Sequence, residues 1–316
     1  MAMTTTTRSF IGKGKIYAGL KTGGVVAPIG NVSALSLAIS EETKDLLDYT
    51  SAGGGKKDSL SRISGIVGTM SARDFSPNNL ALVLRGATAD VTTEPVSNED
   101  HTAYSGGFIS TTYLPDTSGA TPFTCAISVS DSWTAEHAYS VGNTILESSL
   151  VFQCTTAGTS TITGSKPTFA GTSVGSTVND GLTLVWTCRG AVTMTDSGST
   201  PDFTAGKAGV QISADVARFA LGLPVHVSYT KANSTTVQAL TSSGSEFILE
   251  FDGLNEIDSG NPFYVKLHRV KFGVTSGLPM IADDFGTLEI KFDVLQDTTI
   301  SGTNISQYLK IAQISD

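Results

Sequence analysis

Residues 287–294 constrain the fold more tightly than any other stretch of the chain. Leu288, Ile290, Phe292 and Val294 alternate without a slip with Thr287, Glu289, Lys291 and Asp293. A period of two puts one set of side chains into a core and the other into water, so this segment predicts a half-buried β-strand. The same period recurs where Leu223, Val225, Val227 and Tyr229 alternate with polar or small residues, and again at Leu35, Leu37 and Ile39 and at Phe247, Leu249 and Phe251. In 263–274 the apolar phase runs Phe263, Val265, Leu267 and resumes one residue out of step at Val270, Phe272 and Val274. That slip near His268-Arg269 predicts a bulge. Shorter strands are expected at 10–17, 89–96, 108–113, 125–129, 192–194 and 208–212. Asp252-Gly253 reads as a turn, 98–104 as a polar loop, and 301–316 as a short amphipathic tail that reaches a neighbour.

One helix interrupts this pattern. In 62–86, strand-prone residues from Ile63 to Met70, thinned by Gly65 and Gly68, are followed by Ser76-Pro77 and a Leu80/Leu84 stripe. Ser76 suits an N-cap, Pro77 the first turn and Gly86 a left-handed C-terminal turn. The expected fold is all-β, a mainly antiparallel β-sandwich or part-barrel, with one short flanking α-helix packed through its leucines.

Two segments stand apart. Residues 41–60 are charged at both ends and Gly-rich in the middle, and they read as a long loop. The candidate contact residues in it are Glu41, Glu42, Leu46, Leu47, Asp48 and Tyr49, a surface that orders against a partner. Residues 131–190 shift to Thr, Ser and Gly and hold both tryptophans. The expected organisation is one discontinuous domain, 1–130 with 191–316, carrying an inserted small β module at 131–190. Trp133, Tyr139 and Trp186 in the insert either stack on sugar rings or fill the core of a domain too small to have another.

Composition narrows the chemistry. The net charge is −9 and the pI about 4.9, so no general phosphate-neutralising surface for DNA is expected. Cys125, Cys154 and Cys188 stand far apart, which leaves buried reduced thiols or a Cys154–Cys188 pair. MAMTTTTRSF has no apolar run and no stretch approaches a membrane span, so neither a signal peptide nor a membrane segment is expected. Gly171-Thr-Ser-Val-Gly175 matches the nucleophile-elbow pattern, yet Ser173 is followed by a turn sequence rather than a helix. Asp283-Asp284 is a lone pair in a turn, and the four histidines are scattered. No catalytic, cofactor or metal site is expected.

The order of parts resembles the tail tube proteins (major tail proteins) of long non-contractile-tailed bacteriophages. The likeness rests on Ala27-Pro28-Ile29-Gly30-Asn31, on Glu41-Glu42 with Leu46-x-Asp48-Tyr49, and on Asp74-Phe75-Ser76-Pro77-Asn78-Asn79-Leu80. It continues in Phe247-x-Leu249-x-Phe251-x-Gly253-x-Asn255, Val265-x-Leu267-x-Arg269-Val270-x-Phe272 and Asp283-Asp284-Phe285-Gly286-x-Leu288. Residues 131–190 resemble small β modules repeated in phage tail and fibre proteins, some of which look like carbohydrate-binding modules. The resemblance implies a structural virion protein, assembled in the host bacterial cytoplasm and located in the tail. Six copies would close into a ring, and rings would stack into a hollow tube that delivers DNA without specific binding. The 41–60 segment would grip the neighbouring ring, and the strands at 62–74 and 287–293 would line the bore. The inserted module would decorate the exterior, and a tape measure protein, a tail terminator and tip proteins would be partners. The alternative is a tail or fibre adhesin that binds host surface glycans through 131–190.

Overall fold

A computed structural model of the chain describes residues 9–50 and 52–314. The readings of residues 1–8, of Ser51 and of the last two tail residues lie outside that range. Antiparallel strands dominate, and the chain forms two compact units, Met1–Ala89 with Thr235–Asp316, and Asp90–Ser234.

In the first unit, β1 (Gly12–Leu20), β2 (Ala27–Gly30), β3 (Val32–Leu47) and β4 (Lys56–Ala72) join four later strands in one 8-stranded sheet. The sheet is open. Its order runs β2, β1, Glu246–Asn255, Asn261–Phe272, Leu288–Val294, β4, β3. Leu288–Val294 buries every second residue, as its alternation requires, and supplies Leu288, Ile290, Phe292 and Val294 to a core shared with Met70, Leu249, Leu267 and Phe272. The expected bulge is present. Phe247 pairs with Val270 and Leu249 with Leu267, so Ile248 alone faces His268 and Arg269.

The helix α1 (Pro77–Val83) begins as the sequence indicates, with the Ser76 hydroxyl accepting from the Asn79 amide. Val83 is its fully buried anchor, and Leu80 and Leu84 pack beside it. The helix end differs from expectation. Arg85, not Gly86, takes the left-handed conformation, with φ 47°. The Gly86 amide donates to Ala81 and the Arg85 amide to Leu82, closing a Schellman turn. Arg85 is held there by its guanidinium, whose Nε and Nη2 donate to the Phe272 carbonyl at 3.1 and 2.9 Å. Gly86 is needed for space, because a Cβ there would collide with the Gln238 carbonyl.

Three further readings are corrected. Residues 41–47 and 56–60 are not loop but the outer strands of a long β3/β4 hairpin, with a turn at its tip. Asp252 and Gly253 continue the strand Glu246–Asn255, where Gly253 faces Gly14 across the ladder and neither position has room for a side chain. The tail pairs within the chain, as Leu309–Gln313 lies along Phe263–Leu267.

The second unit holds two cores. One lies between the sheet of Pro95–Ala103, Leu223–Thr230 and Phe123–Ile127 and the sheet of Phe203–Ala205, Gly209–Ile212 and Phe108–Ser110. Residues 98–103 are therefore strand rather than loop, paired with Leu223–Thr230. A short second helix, α2 (Val216–Phe219), is capped by Asp215. The other core belongs to the sheet of Thr144–Glu147, Leu150–Thr156, Leu184–Ala191 and Thr177–Asp180, and contains Phe152, Phe169 and Trp186. The 131–190 boundary drawn from composition encloses this second core, whereas the compact unit is wider. All three cysteines are free and buried. Burial, aided by Asp196, pushes the Cys125 thiol up to about 12.

Candidate assembly surface

The β3/β4 hairpin positions every candidate contact residue. β4 pairs with Leu288–Val294 only from Val67 to Ala72, so the strand from Lys56 to Gly65 has β3 as its sole neighbour in the sheet. At about 3.3 Å per residue the ribbon projects roughly 30 Å beyond the sheet. Glu42, Lys44 and Leu46 share one face with Arg62, Leu60 and Asp58. Glu41, Thr43 and Asp45 share the other with Ile63, Ser61 and Ser59. Cross-strand polar contacts hold the register: Thr43 with Ser61 at 3.0 Å, and Asp45 with Ser59 at 2.8 Å and Lys56 at 2.6 Å. The Lys56 ammonium and then the Ser59 hydroxyl keep the Asp45 carboxyl below its ordinary value. Near the tip the Asp48 carboxylate accepts from the Thr50 amide and hydroxyl. Amid these charges Leu46, Leu60 and Ile63 are each more than half exposed, and Tyr49 is 84% exposed. Along its whole length β3 is also an edge strand, pairing with β4 alone.

The strands read as a wall do lie side by side, Ala72 opposite Leu288 through Val67 opposite Asp293. Their outer face presents Thr69 and Ser71 beside Glu289, Lys291 and Asp293. Lys271 sits across from Asp293 on the next strand. That surface is polar and of mixed sign rather than strongly acidic.

The aromatic trio of the 131–190 segment faces inward. Trp186 is fully buried, and the Tyr139 ring meets it edge-on at 4.7 Å. Trp133 is half-buried, its indole donating to Asp180 at 2.7 Å and the Lys166 ammonium lying 5.5 Å from its ring centre. Sugar stacking by Tyr139 and Trp186 is corrected: neither ring has a free face, and the core alternative holds for them, with Trp133 packed half-buried against that core. Its polar centre, Asp180, is a residue the sequence reading missed. The carboxylate is 1% exposed and accepts from both indoles and from the Thr161 amide and hydroxyl. Burial alone would raise its pKa; the Thr161 amide, the Trp133 and Trp186 indoles and the Thr161 hydroxyl outweigh that and hold it low. In the sequence its one signal is an Asp-Gly turn.

Ser173 sits in a turn between a 3-10 segment and the strand Thr177–Asp180, with its hydroxyl on Ser176 at 2.9 Å. Asp284 accepts from the Phe285 amide in an exposed loop. Among the described residues no group of three or more His, Cys, Asp or Glu is arranged to hold a metal ion, and no helix is long and apolar enough to cross a membrane.

No curated protein matches the sequence. A family profile, by contrast, covers residues 9–145 and 155–312, nearly the whole chain, and the protein belongs to the family described as Protein of unknown function UCP028589.

Proposed function

We propose that the chain is a structural subunit that joins copies of itself into stacked hexameric rings of a bacteriophage tail tube. The observation that carries this reading is the β3/β4 ribbon. A long two-stranded arm with solvent on both faces, free edges and apolar side chains in the open invites a partner and is otherwise an aggregation hazard. A second copy supplies a partner of fixed geometry. The open sheet supports the same reading, because strand edges pooled across a ring leave none unpaired.

In this assembly the outer face of β4 and Leu288–Val294 is the wall of the bore. Its hydroxyls and charges of both signs give a DNA backbone neither an attractive field nor a base-reading group. The tape measure protein would occupy the bore before DNA does, and the terminator and tip proteins would close the two ends.

Electron microscopy and light scattering on purified protein test the proposal. Wild type is expected to form rings or tubes. The double variant Leu46→Lys/Tyr49→Ser is expected to stay monomeric while melting as wild type does, since both side chains are exposed. Tubes formed equally well by the variant, or a wild type that is monomeric at every salt and protein concentration, would refute it.

A further inference from the structure

The second unit contains a recess of about 650 Å³ beside α2 that no role above uses. Its floor is an ion pair of two residues, each 8% exposed: Arg218 Nη1 donates to Asp202 Oδ1 at 2.6 Å. Arg218 Nη2 donates to the Ala191 carbonyl at 2.7 Å, and Asp202 Oδ2 accepts from the Thr195 amide at 2.8 Å. The Arg218 Nε is buried without a partner. Around this floor stand the hydroxyls of Thr193, Thr200, Thr204 and Ser213, none of them bonded within the chain. Pro201 and Val174 add apolar surface to the lining.

The charge balance selects the ligand. Arg218 is neutralised by Asp202, and Asp215, also in the lining, contributes a second carboxylate. The recess therefore offers an anion no uncompensated positive charge. Unpaired hydroxyls that both donate and accept, set beside apolar patches, suit a molecule that alternates O–H and C–H surface. We infer that the recess at Asp202, Arg218 and Thr204 binds a neutral saccharide. This site lies outside the Trp133/Tyr139/Trp186 cluster and is independent of the tube reading.

Saturation-transfer NMR of the full chain with neutral mono- and disaccharides at millimolar concentration tests it, with uronic acids and inorganic phosphate as the anionic arm. Neutral sugars are expected to receive saturation and the anions none. Thr204→Phe, a strand-compatible change at an exposed position, fills the recess and is expected to weaken binding by about tenfold or more. An unchanged near-UV circular dichroism spectrum and thermal melt show that this variant is folded, and Trp133→Phe is expected to bind as wild type does. Cell-surface polysaccharide, tested alongside free disaccharide, distinguishes an extended glycan from a single sugar as the source, and either one binding supports the inference. Absence of transfer from every neutral sugar, anions bound more tightly than sugars, or binding untouched by Thr204→Phe would overturn it.

Discussion

Replacing Asp180 by alanine tests the small core of the second unit at its most sensitive point. The carboxylate accepts four hydrogen bonds, from Trp133 Nε1 at 2.7 Å, Trp186 Nε1 at 3.1 Å, and the Thr161 amide and hydroxyl at 2.9 Å each. Alanine strands the Trp186 indole, which is fully buried. A buried donor without a partner costs about 1–3 kcal/mol. The half-buried Trp133 and Thr161 add less, because water can reach their donors. Asp180→Asn keeps the shape and one oxygen but turns a donor toward donors, and is expected to cost less than alanine. Both tryptophans of the chain bond this carboxylate, so tryptophan fluorescence during urea unfolding reads this core alone. With a urea slope of about 1–3 kcal/mol per molar, the midpoint for alanine should fall by about 1 M or more. The native emission should also shift to the red. A loss below about 1 kcal/mol with unchanged emission would refute the reasoning. The linkage has a definite sign. The folded carboxyl titrates below its ordinary value of 3.8, so its contribution is present above that pH and is lost as acid carries the protein through the lower folded value.

Gly68→Ala places a methyl into the Phe292 ring that lies over it, and is expected to destabilise the first unit by about 1–3 kcal/mol. Phe292→Leu in the same chain should recover part of that loss, and thermal melts of the four combinations measure the coupling. Asp297 is held down to about 2 by the Lys21 ammonium, 2.5 Å away, and by the Thr299 hydroxyl and amide. Its stabilising effect is whole above pH 3.8 and drains away as the pH falls toward 2, so Asp297→Asn should flatten that part of an acid-unfolding curve and leave the remainder parallel.

Strands that bury one face were legible because burial imposes the period. Leu288–Val294 and Leu223–Thr230 follow their alternation, and the slip at His268-Arg269 located a bulge that the register confirms. Where neither face is buried, nothing selects for alternation. The outer half of the β3/β4 hairpin consequently read as loop, and residues 98–103 did too because Ala103 is the one fully buried side chain among them, although both are held by cross-strand pairing. Arg85 shows a different limit. A left-handed end normally marks glycine, and here a guanidinium reaching a carbonyl far along the chain stabilises the exception. The aromatic trio was found for its composition, and sugar stacking and core packing both stayed open, because a sequence does not say which way a ring points. Asp202, Arg218 and Thr204 drew no notice in the sequence because each looks ordinary alone.

The first unit releases the chain along Ala87–Val91 and takes it back along Ser234–Gln238, and these two segments pair as neighbouring strands. Departure and return thus share one clasp, and the eight-stranded sheet completes its pairing whatever lies between. Such a joint behaves as a socket. A linker of a few residues could close it, and a lobe of other size or purpose could be mounted there, so what the second unit does is free to change while the first keeps its own pairing.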